Sequence, residues 1–122
     1  MGKDIITIEV EGEHIAWNNE LNAIIEELEK YEVVLAEKYS PQNKKKIEHF
    51  QNQFLIQKNA ISKLKNEIQK HDLAIDREGK QAFEPVKDKA LEYHEMISQK
   101  IKTELKIIKE LREEFTAFLD TQ

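Results

Sequence analysis

Between Ile47 and Ile75, apolar side chains recur at Ile47, Phe50, Phe54, Ile61, Leu64, Ile68 and Ile75, with Gln57 and His71 filling the gaps. The steps alternate between three and four residues, which places every one of these positions on a single stripe of a helix. A second stripe precedes it at His14, Trp17, Leu21, Ile24, Leu28, Tyr31 and Leu35, widened by Ile25 and Val34. A third comes after it at Val86, Ala90, Tyr93, Ile97, Ile101, Leu105, Ile108, Leu111, Phe115 and Phe118. In this last stripe the successive four-residue steps from Tyr93 to Leu105 predict a stutter, a local unwinding of the heptad.

The breaks between stripes are chemically distinct. Ser40-Pro41 interrupts the chain, because the residue before proline avoids helical dihedrals while proline itself suits a first helical position. Ser40 is then a natural cap. Gly79, inside the polar run Asp76-Arg77-Glu78-Gly79-Lys80, marks the second break, and Pro85 fits the first turn of a third helix. Helices are therefore predicted at about 13–39, 41–77 and 85–119. Residues 1–12 read differently. Ile6, Ile8 and Val10 are β-branched and alternate with polar neighbours, as in a short strand or an irregular arm, and Gly12 ends the segment.

Short connections make antiparallel neighbours. The fold class expected is all-α: an elongated antiparallel three-helix bundle with coiled-coil-like packing, formed by residues 1–122 as a single helical domain. In the register implied by the two turns, Trp17 falls near Leu64 and His94, and His14 near Glu67. Gln57 falls opposite Ile24 and Ile101, with Glu104 and Glu27 close enough to join it. The second and third helices then outrun the first by about ten residues, or roughly 15 Å. That distal arm would expose Ile68, Leu73, Ile75, Phe83 and Val86, and exposed apolar patches of this kind usually meet a partner. A homodimer, or another protein helix laid on Trp17, Ile68, Ile75, Phe83 and Val86, is the expected partner.

Composition narrows the classes. Of the 122 residues, 39% are apolar and 35% charged, with three glycines and two prolines, which suits a helical bundle rather than a disordered chain. Cysteine is absent, so thiolate chemistry and disulfides are excluded. No apolar run is long enough for a transmembrane helix, and the N-terminus lacks a signal-peptide pattern. Met1-Gly2 matches the start of a myristoylation signal, but Ile6 stands where serine or threonine is wanted. A cytoplasmic protein is expected.

The net charge of −5 is unevenly spread. Residues 17–39 carry six glutamates against two lysines, whereas residues 41–77 carry seven lysines and one arginine against four acids. An acidic helix next to a basic one helps an antiparallel pair choose its partner, so the basic face is read as satisfied within the molecule and no nucleic acid is expected. Lys44-Lys45-Lys46 is most simply a solvated face, with an anionic surface as a weaker option.

Candidate chemistry rests on histidine. The register brings His14, Glu67, His71 and His94 within about 10 Å along the axis, and imidazoles with a carboxylate are suitable ligands for zinc or iron. Against this stands the absence of paired Glu-x-x-His motifs and of His-Glu-x-x-His. The single Glu-x-x-His, from Glu11 to His14, straddles Gly12 and is expected to lie outside a helix. A hydrogen-bonded polar layer that sets the register is the simpler account. Glycine-rich phosphate loops and nucleophile elbows are absent, and no enzyme activity is expected. The primary expectation is therefore a non-enzymatic interaction or scaffold protein without a cofactor. The alternative is a metal-binding helical bundle.

The segment Glu48–His71, EHFQNQFLIQKNAISKLKNEIQKH, together with HIAWNNEL from His14 to Leu21, resembles segments of a group of small uncharacterised bacterial helical proteins. The resemblance implies a natural bacterial protein rather than a fragment of a long structural coiled coil. It brings no activity, ligand or partner to any residue.

Overall fold

The computed structural model describes the backbone of residues 5–79 and 84–122, and the side chains of residues 11–71 and 91–122. Three helices succeed one another: α1 (Ile5–Glu37), α2 (Lys44–Gly79) and α3 (Glu84–Asp120). They form the expected all-α bundle, with α2 packed closely against both α1 and α3. At 37 residues α3 is roughly 55 Å long.

The buried positions obey a stricter rule than apolar character alone suggests. On α1 the enclosed side chains are His14, Leu21, Ile24, Leu28 and Leu35, with Trp17 and Tyr31 partly buried between them. On α2 they are Ile47, Phe50, Phe54, Gln57, Ile61, Leu64, Ile68 and His71. On α3 they are His94, Ile97, Ile101, Glu104, Ile108, Leu111, Phe115 and Phe118. The α3 set alternates three and four residues throughout, so the stutter expected between Tyr93 and Leu105 is absent. Tyr93 and Leu105 pack on the flank of the core, and the polar residues His94 and Glu104 hold the seam positions instead.

The end of the bundle next to the α1–α2 turn is aromatic. Phe54 meets Phe115 edge-on at 5.1 Å between ring centroids, and Phe50 lies 5.2 Å from Phe115 and 5.1 Å from Phe118. Tyr31 closes the cluster from α1 at 4.9 Å from Phe115. Such tilted and edge-to-face pairs contribute beyond their buried area.

Two boundaries differ from expectation. Residues 5–12, read as a strand or arm, belong to α1, which runs through Gly12 without interruption. Isoleucine, threonine and valine cost only a few tenths of a kcal/mol each in a helix, and extending a formed helix needs no new nucleus. A Cβ added at Gly12 would meet nothing within 4 Å. Gly12→Ala is therefore expected to raise stability by roughly 0.5–1 kcal/mol through lower chain entropy. Urea unfolding checks this, and a loss of stability would contradict it.

The second difference is the start of α2, at Lys44 rather than at Pro41. Asn43 holds the capping position: its carbonyl accepts the first helical bond from the Ile47 amide at 3.0 Å. Its side-chain amide donates to the Lys38 carbonyl at 2.7 Å, while its Oδ1 accepts from the Ser40 amide at 2.8 Å. One asparagine thus satisfies backbone groups on both sides of the turn, a role for which its short amide is better suited than serine.

α1 meets α2 one turn further along than expected, with His14 beside His71, and so covers ground expected to be bare. Ile68, expected as an exposed anchor of the distal arm, is fully buried within the single chain. The side chains of Leu73, Ile75, Phe83 and Val86 lie outside the described residues. Among the described residues, no helix is long and apolar enough to cross a membrane.

Ion pairs join all three helix pairs. Glu32 meets Lys58 at 2.5 Å across α1 and α2, as the charge asymmetry of the two segments suggests. Arg112 of α3 donates from Nε and an Nη to the two oxygens of Glu27 at 2.8 and 3.1 Å, and Lys100 reaches Glu67 at 3.2 Å. Glu27 lies beside Tyr31, whose hydroxyl is raised above its ordinary range by burial first and by that carboxylate second.

Candidate metal centre

The heptad of each helix reaches a histidine in the same layer: His14 on α1, His71 on α2 and His94 on α3. All three are buried, and one nitrogen from each ring lies within 4.8 Å of the other two. Ring centroids are 5.1 Å apart for His14 and His71, 5.0 Å for His14 and His94, and 5.8 Å for His71 and His94. Two aromatic rings frame the layer. Trp17 stacks on His94 at 4.8 Å with 24° between planes, and Tyr93 flanks His71 at 5.0 Å.

The hydrogen bonds define which nitrogen does what. Glu13 Oε2 lies 2.8 Å from His94 Nε2, and His14 Nε2 lies 3.0 Å from His94 Nδ1. An ionised carboxylate only accepts, so Nε2 of His94 carries the proton and donates it to Glu13. In the neutral ring this leaves a lone pair on Nδ1, which accepts from the Nε2–H of His14.

Of the four side chains expected to converge, three do. Glu67 stands apart from the histidines: its carboxylate is engaged by Lys100. The register expected His14 beside Glu67, whereas it meets His71, one helical turn further along α2. The carboxylate that does approach the cluster is Glu13, which sequence reasoning passed over. It is half-exposed, adjacent to His14, and its partner is 81 residues away, so no spacing signals it. Glu11 and His14 also lie one turn apart on continuous helix, contrary to the expectation that Gly12 separates them. Trp17, expected as an interface anchor, is partly buried against the histidine layer.

Three imidazoles at this spacing suit a borderline divalent ion. Zinc–nitrogen bonds of about 2.0–2.1 Å in a tetrahedron put ligand nitrogens roughly 3.3 Å apart. The His14–His94 pair already stands at 3.0 Å, the His14 proton moving from Nε2 to Nδ1 as an ion replaces their hydrogen bond, and the third ring closes the set by a shift of roughly 1.5 Å at most. Imidazole favours zinc, iron, nickel and copper over magnesium or calcium, which want oxygen.

A second polar layer lies nearer the middle of the bundle. Glu104, only 5% exposed, faces Gln57. With the Gln57 amide nitrogen turned toward it, the amide donates to the two carboxylate oxygens at 2.6 and 3.2 Å. Burial pushes the Glu104 carboxyl up to about 7. The expected meeting of Gln57 with Glu104 is realised, while Glu27 is drawn away by Arg112.

The class these features define is a three-helix bundle with a buried three-histidine cluster. Comparison of the chain with protein-family models, with curated proteins and with solved structures finds no match.

Proposed function

We propose that this protein is a metal-binding helical bundle, holding a divalent ion of the zinc or iron type on His14, His71 and His94. The single observation that carries the reading is the convergence of one buried imidazole from each helix, with nitrogens within 4.8 Å of one another. Three imidazoles, one from each helix, converge in one buried layer with a nitrogen of each ring close to the other two, an arrangement a single ion can share. Because the ligands come from three helices, ion binding and bundle stability are one equilibrium. The reading is non-enzymatic: the ion ties the helices together. Self-association through Ile68 is not part of it, since that side chain is enclosed within one chain.

Trp17 reports on the site directly because it stacks on a ligand ring. Titrating zinc into metal-free protein is expected to change Trp17 emission with a one-to-one end point. It should also raise stability by about 2.7 kcal/mol at a free ion concentration a hundredfold above Kd. His71→Ala is expected to abolish both responses while the chain stays helical. Emission and stability indifferent to zinc, nickel, iron and copper alike would refute the proposal.

A further inference from the structure

We propose that Glu13 is the positioning residue of the cluster, holding His94 in the tautomer that offers Nδ1, and not Nε2, to the metal. This rests on the metal-binding reading and adds to it which atom binds and which side chain makes that atom available.

The His94 ring is gripped at both nitrogens by consecutive residues of α1. His14 points at Nδ1 from inside the bundle at 3.0 Å, and Glu13 holds Nε2 from the rim at 2.8 Å. Neighbouring residues on a helix project about 100° apart, so one turn of α1 reaches the inner and outer edges of the same ring. Trp17, one turn further on, lies nearly parallel to that ring and fixes its plane. With the plane fixed, the remaining freedom is which nitrogen carries the proton. Without Glu13 the ring would divide between its two tautomers, and one of these covers Nδ1 with a hydrogen and turns the lone pair outward. The carboxylate removes that state.

Such carboxylate–histidine–metal arrangements also raise ligand basicity, and their removal typically costs 10–100-fold in metal affinity. The Glu13 charge in addition offsets part of the dication that three neutral imidazoles leave uncompensated. Glu13 itself is 55% exposed, so its replacement removes little packing.

The experiment uses the full chain with zinc as the probe and histidine labelled with nitrogen-15. Long-range proton–nitrogen correlation of the zinc-loaded wild type should show His94 ligated through Nδ1 with Nε2 protonated. Glu13→Ala should weaken zinc binding by about 10–100-fold while the melting temperature of the metal-free protein changes little. Glu13→Gln keeps an acceptor oxygen for Nε2–H and should recover part of the affinity and the Nδ1 ligation. Zinc ligated through Nε2 of His94, or Glu13→Ala binding zinc as tightly as wild type, would overturn the inference and leave metal binding standing. A wild type that takes up no zinc under conditions where it is fully folded would overturn both.

Discussion

Phe54→Ala is expected to destabilise the bundle by about 3–5 kcal/mol. The ring is fully buried, meets Phe115 edge-on at 5.1 Å, and lies 5.8 Å from Tyr31 and 6.0 Å from Phe50. Truncation removes its transfer free energy and leaves a cavity walled by rings on all three helices, which cannot collapse without breaking the remaining aromatic pairs. Domains are commonly stable by only about 5–15 kcal/mol, so this one change removes a large part of the total. The adjacent Leu55 is a control, since it is 55% exposed. Leu55→Ala should stay within roughly 0.5 kcal/mol of wild type. Urea unfolding of both variants measures the contrast. Equal losses at the two positions would mean that the seam does not run through Phe54.

Glu104→Gln is expected to gain stability relative to wild type as pH rises. Burial places the folded Glu104 carboxyl at about 7, above its ordinary value of 4.5. The folded chain therefore holds this proton more tightly than the unfolded chain does. The stability contributed by the protonated form is fully present below pH 4.5 and is lost as pH climbs through 7. The displacement corresponds to about 3 kcal/mol. Glutamine is a neutral isostere and keeps an amide-to-amide bond to Gln57, so it does not share the loss. Between pH 4.5 and 8.5 the stability difference should move in favour of Glu104→Gln by about 3 kcal/mol. Comparing variant with wild type cancels the histidines and surface charges common to both. No charged neighbour contributes to the shift, although Lys63, Glu67 and Lys100 line the same α2–α3 groove. Urea midpoints across this pH range in chelator supply the measurement, and a constant difference would contradict the account.

Where the expectations held, spacing carried them. The α2 seam from Ile47 to His71 is buried at every predicted position, polar members included. On α3, apolar character and spacing disagree, and the structure follows spacing. Tyr93 and Leu105 look like core, but the heptad through Ile97, Ile101 and Ile108 demands His94 and Glu104. Polar residues holding strict seam positions were thus the clearest pointer to both polar layers. The N-terminal eight residues of α1 were lost to local propensity: β-branched alternation and one glycine argue for a strand, and continuation of an existing helix outweighs them.

The site was legible to the extent that it lies on the seams. His14 and His71 stand on the expected seams, whereas His94, beside the expected seam position Tyr93, enters only through the register between helices. Glu67 was included because the assumed register was one turn out on α2, and in the structure that shift delivers its carboxylate to Lys100. Glu13 has no periodic signature, since it approaches from the rim and its role depends on a ring 81 residues away. Contacts made by seam residues can be read from periodicity, whereas contacts reached from the flank need coordinates.

The central claim is that the three-histidine layer takes a metal ion. Native mass spectrometry of wild-type protein and His71→Ala, both purified without chelator and then supplied with one equivalent of zinc, tests it most directly. The account expects one zinc per wild-type chain and none on His71→Ala. A metal-free wild-type spectrum, or equal zinc on the two proteins, would contradict it.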